Sequence, residues 1–397
     1  MKKLVFLFLI LCGFMPARAN DTAGYVLPTG GVVFQKQDGI KMRTEALYIR
    51  PGQIEVNYLF ENTTDNPITT AVFFPLPPIS AVLDYYTDYL DATHQFRFKL
   101  WVNGKEQLYQ TQFSLQQHGR PVPSFASKIW KYPEESLDEA TFHQRFLALS
   151  PAERQTLIDG KYIYWGYMLV LNKQTGESGE QEGWLMSDRH DTLWEKQITY
   201  SWEQTFPPHK TITVRHTYTP SYKTINTGAP FSKCIEGNSP AYQLFSAPAA
   251  QGEKRLAAQN YLEYILTTAQ NWQGPIGHFN LLIESPLKSV GCFDGGPFYA
   301  KQFYAINRPN YTPERDLSVD FLDNKSVLGY QPKYAPVLYR VNGPAKLRST
   351  PHGKTLGQLE NNTYIWGWPG KKQGKWIPVL QNQFSGYAHQ KNLIQVF

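Results

Sequence analysis

Cysteine is scarce in this chain of 397 residues: only three occur, and Cys12 lies in an apolar run near the start. No paired Cys-x-x-Cys and no H-E-x-x-H is present, so zinc ligands at usable spacing are lacking. No G-x-S-x-G turn presents a strained nucleophilic serine. Charged residues make up only 18%, and no block of like charges occurs, which excludes an electrostatic footprint for nucleic acid. After the first twenty residues every apolar run is broken by charge or proline within a dozen positions, well short of the ~20 that a spanning helix needs. These absences leave no catalytic residue, metal site or cofactor to name.

What is present begins with an address. Lys2 and Lys3 precede an apolar run from Leu4 to Met15, and Ala17-Arg18-Ala19 follows. That order describes a secretory signal peptide cleaved after Ala19, and Leu11 ahead of Cys12 argues against a lipid anchor. Residues 1–19 are therefore a signal segment, and the mature protein is periplasmic or secreted, with no membrane span. Cleavage removes three of the six net positive charges. The two remaining cysteines, Cys234 and Cys292, read as a disulfide in an oxidising compartment. By loop entropy such a bridge contributes about 4 kcal/mol. The alternative is a thiol nucleophile at Cys292 served by His278.

Aromatic residues, at 15%, suit the half-buried faces of β-sheets. Val32-Val33-Phe34 and Lys41–Ile49 read as early strands, with a turn at Pro51-Gly52. Ile54, Val56, Tyr58 and Phe60 alternate with Glu55, Asn57 and Leu59, and after polar Asn62–Pro67 a strand returns at Ala71–Phe74. The pair reads as a hairpin, and the following Pro75-Leu76-Pro77-Pro78 directs the strand out at a sheet edge. Phe96–Val102 turns at Asn103-Gly104, a type I′ signal. The period then changes. Ser136 with Glu139, and Ser150-Pro151 with Glu153 and a stop at Gly160, predict two helices inserted at about 136–160. Tyr162–Leu171, Lys196–Phe206, Thr211–Thr219, His278–Glu284 and Leu317–Leu322 read as further strands. Glu253–Asn271 reads as a third helix with Leu262, Ile265 and Ala269 on one face. His216 is expected to be a packed or surface residue rather than a ligand.

The stretches NDTAGYVLPTGGVVFQKQDGIKMRTEALYIRPGQIEVNYLFEN, FFPLPP and YILTTAQNWQGPIGHFNLLIE, with Cys292–Gly295 and Tyr311–Leu317, resemble an exported bacterial family known as domain-of-unknown-function family 4424. The resemblance covers Asn20 to Leu322, departs at Ala269-Gln270 where a glycine is usual, and implies no activity or catalytic residues. Residues 20–322 are thus expected to be a β-sandwich-like body, mainly β, with helical insertions. A polar linker at 323–335 leads to 336–397, where Leu347-Arg348-Ser349, Gly357-Gln358-Leu359, Gly374-Lys375-Trp376 and Gly386-Tyr387 resemble a bacterial SH3 domain. Five short strands at close spacing would form its small β-barrel.

In that module Trp366 and Trp368 share alternation parity and should point to one side. A small barrel does not easily bury two tryptophans on one side, so they are candidates for an exposed surface that stacks on sugars or peptides. Trp376 and Tyr387 are read first as barrel core and second as part of that surface. The resemblance implies binding of cell-wall material, so peptidoglycan or an envelope protein is the expected partner of a non-enzymatic exported protein. A wall or glycan hydrolase with an unrecognised carboxylate site in the body is the alternative, and a module that docks on the body and binds nothing external is the third. Gly353-Lys354-Thr355 is a turn, because Arg348 stands where a phosphate loop needs glycine. Asp84, Asp88 and Asp91 lack the glycine and glutamate of a calcium loop, and Arg189-His190-Asp191 reads as a charged loop.

Overall fold

The computed structural model describes residues 21–26, 32–80, 97–117, 119–131, 137, 139–171, 178–185, 194–220, 223–225, 234–235, 258–286, 289–294, 296–323 and 330–397. The expected signal segment, the three aspartates at 84, 88 and 91, and the 189–191 triplet lie outside them. The fold is mainly β, with two α-helices among the described residues. Among those residues no helix is long and apolar enough to cross a membrane.

A seven-stranded central sheet runs in the order Phe303–Tyr311, Ile276–Glu284, Ile40–Arg50, Gln53–Asn62, Thr211–Tyr218, Lys99–Val102 and Lys105–Glu106. All its neighbours are antiparallel except Ile276–Glu284 beside Ile40–Arg50. Alternation decides its faces: Ile54, Val56, Tyr58 and Phe60 point into the core, while Glu55, Asn57 and Leu59 are half-buried on the other side. A second sheet, containing Glu195–Phe206, Ile68–Pro75 and Thr22–Val26, packs across the inner face. Phe98 stacks on Tyr200 with ring centroids 4.0 Å apart, and Phe74 lies 5.6 Å from Phe98. A third sheet, including Ala258–Tyr264, Leu317–Asp323 and Ser289–Phe293, shares the same core through Leu262, Tyr264, Val319 and Phe321. This is a sandwich with the central sheet as one whole layer.

The expected hairpin is not one. Gln53–Asn62 pairs with Ile40–Arg50 across the Pro51-Gly52 turn and with Thr211–Tyr218, whereas Ile68–Pro75 pairs with Glu195–Phe206 and Thr22–Val26 in the opposite sheet. The polar link between them crosses from layer to layer. Buried Asn62 holds the crossing: its amide donates to the carbonyls of Asn66 and Phe206, both at 2.8 Å, and its Oδ1 accepts the Thr64 N–H at 2.9 Å. Pro75 lies past the end of the Thr22–Val26 neighbour, where only one partner strand remains, the place for a residue that cannot donate to a ladder.

Glu253–Asn271 is likewise not a helix. Its described part is a strand, Ala258–Tyr264, followed by a short 3-10 turn at Thr267–Asn271. Leu262 and Tyr264 alternate into the core, and the Tyr264 hydroxyl meets that of Tyr58 at 3.1 Å. The Asn103-Gly104 turn forms as expected, both residues having positive φ of 50° and 75°. The inserted helices are Glu139–Leu147 and Pro151–Asp159. Ser150 and Glu153 make a reciprocal capping box at the second, while Ser136 lies outside the described residues. With Trp130 and Trp194 the helices form a core of their own.

The C-terminal residues form a separate antiparallel sheet of seven strands, Val337–Val341 to Leu393–Gln395, where five were expected. It curls around Val341, Leu347, Leu359, Ile365, Ile377, Val379 and Ala388.

Candidate functional site

Trp366 and Trp368 do share one side of the C-terminal sheet, but that side is not exposed. They are 3% and 5% accessible, so they offer no stacking surface. The inside of the C-terminal sheet does not bury them. The outer face of the central sheet covers them instead, a face the chain's local pattern does not connect to them. Trp366 packs 6.4 Å from Tyr48 and Trp368 packs 5.0 Å from Phe303, among Ala46, Leu282 and Ala305. His278 lies against Tyr364 at 4.4 Å, and burial lowers its pKa. Asn382 Oδ1 accepts the Asn307 N–H at 2.9 Å, and the Gln383 amide donates to the Ala305 carbonyl at 3.1 Å. The approach segment is fixed as well. Buried Glu284 accepts hydrogen bonds from the Tyr48 and Tyr330 hydroxyls at 2.6 and 2.7 Å, and Arg50 donates to the Tyr330 carbonyl at 2.9 Å.

Trp376 and Tyr387 are not core residues. In Trp376–Gln381 the inward positions are Ile377 and Val379, so Trp376 stands outward, half-buried, directly opposite His389. Tyr387, two residues before His389, shares that outer face opposite Pro378. The indole of Trp376 is flanked edge-on by His352 and His389 at 5.3 and 5.1 Å, and its N–H donates to His352 Nε2 at 3.2 Å. The Arg348 guanidinium is 5.6 Å from the indole centroid. Gln373 donates to the Tyr387 hydroxyl at 3.2 Å. Burial and the nearby Lys391, Lys375 and His352 hold the His389 pKa below its ordinary value. A hollow of about 620 Å³ adjoins it, lined by His389, Lys375, Lys391 and Tyr339. The surface presents a flat aromatic edge, two imidazoles and several cations, a set suited to a polar ligand carrying carboxylates.

Cys234 and Cys292 are disulfide-bonded, the state an oxidising compartment favours. That removes the thiol reading of Cys292 with His278. Among the described residues no three His, Cys, Asp or Glu side chains converge as a metal ion requires. One polar pair escapes any local reading. His216 and Asp21, 195 positions apart, are fully buried and meet at 2.8 Å between Nε2 and Oδ1. Burial raises the Asp21 pKa and His216 opposes the rise. The Trp272 indole donates to the Asp21 carbonyl at 2.6 Å, so this pair ties the start of the described chain into the core.

A family model described as "Domain of unknown function (DUF4424)" matches residues 19–319. Among solved structures, the chain is similar to a Legionella pneumophila protein provisionally described as nutrient binding. The identity is 15%, 76% of this chain and 71% of that chain are covered, and the TM-score is 0.35. No curated protein matches the sequence significantly.

Proposed function

This chain belongs to the DUF4424 family, and on that footing we propose that it is an exported, non-enzymatic binding protein of the cell envelope. In this reading residues 336–397 are an SH3-like module, and its Trp376–Tyr387 surface takes cell-wall peptidoglycan. The observation that carries the reading is the division of the module's outer face. Trp366 and Trp368 are spent on docking, whereas Trp376 and Tyr387, with two histidines and Arg348 beside them, face outward. Aromatic faces stack on sugar rings at little entropic cost, and the cations suit the free carboxylates of wall peptides.

The full mature chain should sediment with purified peptidoglycan, and Trp376→Ala with Tyr387→Ala should reduce retention about tenfold, as loss of two aromatic contacts implies. A wild-type chain that stays in the supernatant at every salt concentration would instead support the second reading, which the buried Trp366 and Trp368 favour: the module is a structural cap on the body and binds nothing external.

A further inference from the structure

The outer face of the central sheet divides into two regions. One end, at Ile40–Arg50, Ile276–Glu284 and Phe303–Tyr311, lies under the C-terminal sheet. The other end, at Gln53–Asn62, Thr211–Tyr218 and Lys99–Val102, carries a groove of about 410 Å³. Register builds it. Thr217 stands opposite both Glu55 and Lys99, and Arg215 stands opposite Trp101, so outward side chains from adjacent strands, ~4.8 Å apart, form two rows. Arg50 and Arg97 also line the groove.

Four cations, Arg50, Arg97, Lys99 and Arg215, line this groove with a single carboxylate, Glu55. The chain as a whole has 39 basic and 33 acidic residues, so general basicity does not account for such a concentration. Glu55 is already engaged, accepting from Arg215 Nε at 3.1 Å and Nη2 at 2.9 Å. Arg215 also lies over the Trp101 ring, 4.7 Å from its centroid. Arg50 is held by the Gln53 side chain at 2.5 Å and the Tyr330 carbonyl. Both guanidinium groups are thus fixed in place by partners that leave the groove net positive. Arg97 and Lys99 have no acidic partner among the described residues. Like charges gathered on a rigid sheet repel one another unless an anion joins them, and cations already held in position lose little freedom on binding one.

We propose that this groove binds a small anion bearing at least two carboxylate or phosphate groups on a hydroxylated carbon skeleton, such as an acidic sugar. The charges would meet Arg97, Lys99 and the Nη1 side of Arg215, which its bonds to Glu55 leave unused. Buried Arg50 would add its charge from the groove wall, and Gln53 and Thr217 would serve the hydroxyls. This site is separate from the Trp376 surface and does not depend on it.

Calorimetric titration of the full mature chain with citrate, fructose 1,6-bisphosphate and trigalacturonate tests the proposal, with glucose as the neutral control. At least one of the three should bind, and the preference between citrate and the bisphosphate separates carboxylate from phosphate as the natural group. Arg97→Ala with Lys99→Ala should weaken binding by about tenfold or more, and added salt should weaken the wild type as screening requires. Both side chains are exposed, so the variant should keep the wild-type melting temperature. No heat from any probe up to about 10 mM, a range that still detects weak complexes, would overturn the proposal, as would equal binding by the variant.

Discussion

His216 shows how far a residue's setting can depart from what its strand suggests. It alternates with Arg215 and Thr217 on an ordinary-looking strand, yet it is fully buried, with Phe74, Phe98 and Trp202 rings within 4.8 to 5.3 Å. Its Nε2 meets Asp21 Oδ1 at 2.8 Å. Removing one member of a buried ionic or hydrogen-bonded pair strands the other in an apolar site, which costs about 3–5 kcal/mol. Asp21→Ala and His216→Ala should each lower stability in urea by that amount. The double variant should lose less than the sum, because both remove the same contact. Single variants indistinguishable from wild type would show that the pair contributes nothing to holding the amino-terminal strand. That His216 would be a packed or surface residue rather than a ligand was legible in the sequence, but its full burial and its partner Asp21 were not, since nothing in a chain links positions so far apart.

At the scale of elements, the signals that worked were those confined to one turn. The capping box at Ser150 was readable because all its partners lie within four residues. Glu153 is held down to a pKa of about 2, first by its hydrogen bond from Lys128 and then by the Ser150 backbone and hydroxyl. A carboxylate depressed in the folded state stabilises the helix above its ordinary value of 4.5, and that contribution is lost as pH falls through the folded pKa. An NMR titration of the Glu153 carboxyl should therefore show a midpoint well below 4.5, and Ser150→Ala should raise it; an ordinary midpoint in the wild type would refute the cap's role. The misread elements needed distant partners. Leu262, Ile265 and Ala269 fit a helical period while Leu262 and Tyr264 fit a strand period, and pairing with Leu317–Asp323 decided between them. Likewise Gln53–Asn62 and Ile68–Pro75 were both legible as strands, but their neighbours in separate sheets were not.

For the whole molecule, the decisive contact joins the C-terminal sheet to the body. Trp366 and Trp368 fill it, with Tyr48, Leu282 and Phe303 opposite. Truncating a buried tryptophan removes its transfer energy and leaves a cavity, a loss of about 3–5 kcal/mol. Trp366→Ala should accordingly lower the melting temperature or split the calorimetric transition in two, as the sheet with its own core separates from the body. One unchanged transition would mean that the docked contact contributes little. The same substitution should spare the Trp376 surface, which lies on the uncovered part of the module.

The sequence by itself determined which residues alternate, how Ser150 caps its helix, which cysteines can pair and that the chain is mainly β. These properties follow from local sterics, hydrogen bonding within a turn, and side-chain chemistry. Tertiary structure alone decided which side of each alternating strand faces protein and which faces water. It sent Trp366 and Trp368 into a contact and left Trp376 and Tyr387 outside, because the covering surface is assembled from strands as far apart in the chain as Ile40–Arg50 and Phe303–Tyr311. It also gathered Arg50, Arg97, Lys99 and Arg215 into one groove, since only the register of four strands brings cations so scattered along the chain within reach of one ligand.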